Sequence, residues 1–150
     1  MLWRQTVERR GIELKPGLIE MLDFVEQQRL TAALATSSEA EYADLTLRRS
    51  GLLDRFAVVV SGDRVTRGKP APDIYLEAAR QLAVSPADCV AFEDSEAGIR
   101  AVAAAGMMGI LVPDRPPSLE ARRVAFRVAP TLQEARVVLA SLLGGVTAGL

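Results

Sequence analysis

The chain has 150 residues, the size of one domain, and its 49% hydrophobic and 25% charged residues are ordinary for a globular protein. A net charge of −1 leaves no electrostatic footprint for nucleic acid or an anionic membrane surface, and no apolar run approaches the ~18 residues of a membrane span. Histidine is absent, which removes Ser-His-Asp and Cys-His mechanisms and every His-based zinc site, and the single cysteine, Cys89, allows no internal disulfide.

Any catalysis must then run on carboxylates, hydroxyls, lysine and a hard metal. The charged segment Met1 to Arg10 lacks the apolar stretch of a signal peptide, and with the absent disulfide this gives an expectation of a cytoplasmic protein. After Pro16-Gly17, the apolar residues Leu18, Met21, Leu22 and Val25 recur at helical spacing. Thr31 to Ala35 reads as a short buried strand. Ser38 and Glu41 form a capping box that opens a second helix ending near Gly51. Val58-Val59-Val60 is a second strand. Pro72 suits the first position of a third helix, whose apolar stripe is Ile74, Tyr75, Ala78, Ala79 and Leu82. Cys89 to Phe92 is a third strand, Ser95 caps a helix of small residues reaching Ala105, and Gly109 to Val112 is a fourth strand. Pro113 to Ser118 is a surface loop, and Arg122-Arg123 lies on a solvated helix face. Thr131 and Glu134 cap a last helix with Leu132, Ala135, Val138, Leu139 and Leu142 inward, and Gly144 to Leu150 reads as a frayed tail.

Continuous apolar strands alternating with amphipathic helices indicate an α/β fold with a parallel sheet covered on both faces. Ligands of such sheets bind beyond the carboxyl ends of the strands. Three loops there hold the residues that carry chemistry: Thr36-Ser37-Ser38, Lys69 and Glu93-Asp94. Lys69 is one of two lysines, with Lys15, against sixteen arginines, and an ammonium is a compact, rotatable charge that fits against a phosphate or carboxylate where a planar guanidinium would not. Adjacent carboxylates at a strand end suit Mg²⁺. The Thr36 hydroxyl and the N–H groups opening the next helix suit a phosphate. Together they suit phosphoryl transfer, which rests on positioning and charge neutralisation. Read singly, Glu93-Asp94 is acidic charge at a helix N-terminus and Lys69 a surface lysine; their convergence argues otherwise. Cys89 and Met107-Met108 read as core, and Gly98 as a close helix–sheet contact.

Ala35-Thr36-Ser37-Ser38, Gly68-Lys69-Pro70-Ala71-Pro72-Asp73 and Phe92-Glu93-Asp94-Ser95-Glu96-Ala97-Gly98, followed by Ala104-Ala105-Gly106-Met107, resemble motifs two, three and four of the haloacid dehalogenase superfamily, in its β-phosphoglucomutase and phosphoglycolate phosphatase-like branch. The resemblance runs from about Pro16 to Leu143. It implies a Rossmann-like three-layer core and a Mg²⁺-dependent phosphatase or phosphomutase acting on a small phosphorylated metabolite through an aspartyl-phosphate. It implies that Thr36, with Ser37 and Ser38, binds the phosphoryl group, that Lys69 holds the phosphoryl and the nucleophile, and that the Lys69–Pro70 bond is cis. It implies that Asp94 binds the metal, with Glu93 as ligand or support.

The family's first motif, Asp-x-Asp-Gly-Thr on the central strand, has no counterpart among these 150 residues, which contain no Asp-x-Asp. Residues 1–14, amphipathic around Trp3 and Val7, resemble the last helix of a helical cap, leaving 15–150 as a partial core. The expectation is therefore a fragment whose sheet lacks its central strand, inactive alone, and completed by an N-terminal segment or associating as a homodimer through the exposed edge. The alternatives are a non-catalytic phosphate- or Mg²⁺-binding or interaction module, and one half of a split enzyme.

Overall fold

The computed structural model describes residues 14–147, with side chains as far as residue 143. Among the described residues six helices and five strands alternate: α1 (Leu18–Gln27), β1 (Ala33–Thr36), α2 (Ala40–Ser50), β2 (Val58–Ser61), α3 (Asp73–Leu82), β3 (Val90–Glu93), α4 (Glu96–Ala104), β4 (Met108–Leu111), α5 (Leu119–Val124), β5 (Arg127–Val128) and α6 (Leu132–Thr147). Short 3₁₀ turns at Leu53–Arg55, Gly62–Arg64 and Pro86–Asp88 complete the connections. The segment read as a cap helix lies outside the described residues except for Leu14. No helix among the described residues is long and apolar enough to cross a membrane.

All strand pairings are parallel, but they form two sheets: β1 pairs with β2 from Ala33↔Val58 to Thr36↔Ser61, and β4 pairs with both β3 and β5. The two sheets share their helical layers. On one face, Ile74, Tyr75 and Ala78 of α3 and Ala101, Val102 and Ala105 at α4 form one cluster with Val60, Ala33, Ala35 and Ala91, so strands of both sheets lie under the same roof. On the other face α1 straddles the divide. Its Met21 packs with Ile110, Val112, Leu132 and Leu139, while its Leu22 packs with Leu47, Leu52, Leu34 and Val59. Alternate residues of each strand enter opposite layers, as the pleat requires.

Inner strands of a three-layer α/β sheet are normally buried along their length. Here β4 is nearly so, while every residue of β1 and Val90, Ala91 and Phe92 of β3 are only half-buried. β1 and β3 each have one hydrogen-bonded neighbour among the described residues. The expected α/β fold class with parallel strands is present, divided into two sheets among the described residues.

Most expected elements lie within a residue or two of their expected bounds, and the differences have local causes. The Ser38–Glu41 capping box does not form: α2 starts at Ala40 with Glu39 at the cap, and the Ser38 N–H is taken by the Thr36 hydroxyl at 3.2 Å. Pro72 is the N-cap of α3 and Asp73 its first residue. The Ser95 and Thr131 caps do form, accepting from the N–H groups of Gly98 and Glu134 at 3.0 and 3.1 Å. Gly51 ends α2 with φ 72°, a conformation that costs a glycine nothing. Of the expected frayed tail, Gly144 to Leu150, the part as far as Thr147 is helical and the last three residues lie outside the described residues. The short α5, capped by Ser118, and the two-residue β5 carry too little pattern to be read from sequence.

Candidate active site

Thr36 ends β1, and its side chain turns back to accept the Ser38 N–H, holding the Thr36-Ser37-Ser38 loop in a tight bend. The next loop locks onto it: the Gly62 N–H donates to the Ser38 carbonyl at 2.9 Å, and a Cβ at Gly62 would come within 2.5 Å of the Ser37 carbonyl oxygen. This close approach is why residue 62 has no side chain. Asp63 accepts hydrogen bonds from Ser61 and from the backbone at Ala40, and these hold its carboxyl below the usual range. Ser37 is exposed and Ser38 half-buried.

Lys69 reaches into the divide between the two sheets. Its Nζ donates to the Ala35 carbonyl of β1 at 3.3 Å and to Glu93 Oε1 of β3 at 2.5 Å. The pair is well covered, with side chains 13% and 7% exposed. One ammonium thus spans the strand ends that no backbone hydrogen bond connects. The preceding peptide geometry matches the expectation, since the Lys69–Pro70 bond is cis. The loop carrying Lys69 is anchored by Arg67, whose guanidinium and backbone N–H both donate to Asp73 at the start of α3.

Glu93 has a second partner that pattern reading missed. The Tyr75 hydroxyl, buried under the strands, donates to the same Oε1 that Lys69 binds. Lys69 Nζ also lies 5.2 Å above the centre of the Tyr75 ring, within reach of a cation–π contact. Burial, and then the neighbouring charge of Glu93, push the Tyr75 phenol well above its ordinary range, so it stays protonated and can donate to the carboxylate. The apolar stripe of α3 placed Tyr75 correctly in the core, but nothing local marks its hydroxyl as paired with a residue 18 positions on. The first turn of α4 packs against the other side of the carboxylate, where a Cβ at Gly98 would sit 2.0 Å from Glu93 Oε2.

Asp94 lies just beyond the strand end, exposed, in front of the Ser95 cap. It lines a cavity of about 530 Å³ with Ser95, Pro113, Asp114, Arg115 and Ser118. Lys15, ahead of α1, donates to the Val112 carbonyl at 2.9 Å and to Asp114, one of the lining residues, at 3.0 Å. The structure therefore joins Lys69, Glu93 and the end of β1 directly, and leaves Asp94 facing solvent beside them. For a Mg²⁺ ion, Asp94 is a fitting ligand, whereas Glu93 Oε1 already accepts from two donors. No cluster of three or more metal-binding side chains occurs among the described residues. A Mg²⁺ site with one or two protein carboxylates, completed by water and phosphate oxygens, is normal for that ion, so the residues present fit one part of it.

The sequence profile of the family described as haloacid dehalogenase-like hydrolase matches residues 3–106. The chain belongs to this family. Among relatives of this chain, the β-phosphoglucomutase of Bacillus subtilis is 42% identical over 109 residues, covering 73% of this chain and 47% of that protein. A phosphorylated carbohydrates phosphatase of Thermotoga maritima is 46% identical over 92 residues, covering 61% and 43%. The crystal structure of CbbY from Rhodobacter sphaeroides, in complex with phosphate, superimposes with a TM-score of 0.78 at 31% identity, covering 87% of this chain and 59% of that one. The chain thus spans about half the length of the curated relatives it matches.

Proposed function

We propose that these residues form the phosphoryl-binding part of a Mg²⁺-dependent phosphatase or phosphomutase acting on a small phosphorylated metabolite. The observation that carries this reading is the covered ammonium of Lys69, held between Ala35 O and Glu93 at the carboxyl ends of β1 and β3. An ammonium has three donors, and two are occupied by protein oxygens. The third is available to a phosphoryl oxygen at the mouth of the divide, beside the Thr36 hydroxyl and the N–H groups of the loop it shapes. Such pre-set donors in a covered site stabilise charge that shifts among phosphoryl oxygens during transfer. Asp94 would hold Mg²⁺, which when bound neutralises further phosphoryl charge. The relatives named for phosphorylated carbohydrates point to that substrate class.

No aspartate ends β1 or β2 in a position to attack the phosphoryl group. We place the nucleophile on a parallel strand seated between β1 and β3, supplied from outside these 150 residues. Seating it would pair the free edges of both strands, and unpaired buried backbone groups are costly.

The test is a Mg²⁺-supported 4-nitrophenyl phosphatase assay of the 150-residue chain, alone and joined to an apolar strand ending in Asp-x-Asp. The chain alone should match its Lys69→Ala variant. The completed protein should turn over and lose that activity with either Lys69→Ala or Asp94→Asn. Turnover by the chain alone above the Lys69→Ala control refutes the placement of the nucleophile. Absence of Asp-x-Asp favours a second reading, a non-catalytic phosphate-binding module. Saturable phosphate binding with no turnover in the completed protein would establish it.

A further inference from the structure

Two hydrogen-bond donors from different elements converge on one oxygen at this site. Lys69 Nζ arrives from the loop before α3, and the Tyr75 hydroxyl arrives from within α3; both meet Glu93 Oε1. The carboxylate is fixed on its remaining side by α4, which leaves no room even for a methyl group at Gly98. Glu93 is therefore confined by three elements at once. Confinement alone does not require a hydroxyl, because a phenylalanine ring would fill the same space under the strands. The hydroxyl adds a directed donor to a carboxylate whose charge would otherwise be answered by Lys69 alone.

We propose that Tyr75 is a positioning residue: its hydroxyl, by sharing Glu93 Oε1, fixes the carboxylate that aims the Lys69 ammonium along the end of β1 and leaves one donor of that ammonium free for an oxyanion. A carboxylate with one cationic partner draws that partner fully onto itself. A carboxylate oxygen that also accepts from a phenol divides its lone pairs, and the ammonium keeps its second bond to the Ala35 carbonyl at 3.3 Å. Tyr75 thus acts through Glu93 and touches no phosphoryl group. Its ring, 5.2 Å from Nζ, supports the same placement from below and is retained when the hydroxyl is removed. This inference rests on the phosphoryl-binding reading of Lys69 for its purpose, and on geometry alone for its existence.

The chain contains two lysines, so ¹⁵N-lysine labelling gives two ammonium signals, and a Lys15→Arg variant assigns Lys69. The measurement is the hydrogen-exchange rate of the Lys69 ammonium in the 150-residue chain, without ligand, in wild type, Tyr75→Phe, Glu93→Gln and the double variant. Tyr75→Phe should accelerate exchange by roughly two- to tenfold, the range of one net hydrogen bond, and should have no further effect once Glu93→Gln is present. A purely structural contribution would act equally in both backgrounds, and an unchanged rate in Tyr75→Phe would mean the hydroxyl does not act on Lys69; either result overturns the proposal. Biosynthetic 3-fluorotyrosine keeps the ring packed while strengthening the donor, and should slow exchange; acceleration would count against the proposal. Titration of inorganic phosphate then follows the Lys69 signal. Saturable movement that weakens by a similar factor in Tyr75→Phe supports both readings. No movement in wild type, with the exchange pattern as expected, sinks the phosphoryl reading and leaves the positioning role standing.

Discussion

Replacing Gly98 with alanine tests how firmly the Glu93 carboxylate is held. A Cβ at this position would lie 2.0, 2.2 and 2.6 Å from Glu93 Oε2, Cδ and Oε1. These atoms end a flexible side chain, which ordinarily would swing aside at little cost. Here, swinging aside breaks the bonds from Lys69 and Tyr75, and removing a partner from a covered ion pair costs about 3–5 kcal/mol. Against this, alanine recovers up to about 1 kcal/mol of helix propensity over glycine. The net loss is about 2–4 kcal/mol, and with a urea m-value near 2 kcal/mol/M the unfolding midpoint should fall by about 1–2 M. In a Glu93→Ala background the obstruction is gone, so the same substitution should become neutral or stabilising by up to about 1 kcal/mol. Urea unfolding of the four proteins followed by circular dichroism gives the cycle. A midpoint unchanged by Gly98→Ala in the wild-type background, or an equal fall in both, would refute the reasoning that Glu93 is anchored.

Gly62→Ala forces its Cβ against the Ser37 carbonyl, which is backbone and cannot rotate away, so the loops after β1 and β2 must part; a loss of roughly 1–3 kcal/mol is expected, read as a lower thermal midpoint. Ser95→Ala removes the cap of α4 and should cost about 1 kcal/mol, a fall of roughly 2–6 °C, with no change in the denaturant slope. The Glu77 carboxyl is pulled from its ordinary 4.5 to about 2, by its hydrogen bond from Arg80 first and from Gln81 next. A depressed folded pKa means its stabilisation is present above the unfolded pKa and lost as pH falls through the folded one. Glu77→Gln should therefore lower stability slightly at neutral pH, converge with wild type as pH falls from about 4.5 towards about 2, and so flatten the acid limb, which thermal melts from neutral pH down through that range would show.

The strands were readable because each is a short continuous apolar run between polar loops, as in Val58-Val59-Val60, and a buried parallel strand needs no alternation to be recognised. The Ser95 cap was readable because its partner, the Gly98 N–H, is three residues away. The Ser38–Glu41 box failed for an equally local reason: Thr36 captured the Ser38 N–H, so the chain bends before the helix starts. At the site, Lys69, Glu93 and Asp94 stand out by residue type at strand ends. Their division of labour does not, because it depends on which carboxylate faces inward. Glu93 and Asp94 are adjacent in sequence, yet the strand's alternation buries the first beneath Lys69 and Tyr75 and exposes the second. Tyr75 was visible only as one member of an apolar stripe, since its hydroxyl partner lies across a strand, a loop and a turn.

The division of the strands also sets how quickly each part of the backbone meets solvent. β4 is flanked by paired neighbours on both sides, and its amides can exchange only when that whole half of the molecule opens. Among the described residues β1 has a strand on one flank alone, so half of its peptide groups face the divide. Hydrogen exchange should accordingly resolve two rates within what looks in outline like a single layer, slow for Met108–Leu111 and fast for Ala33–Thr36. Filling the divide with a strand should merge them, which makes the amides of β1 a built-in reporter of whether the sheet is whole.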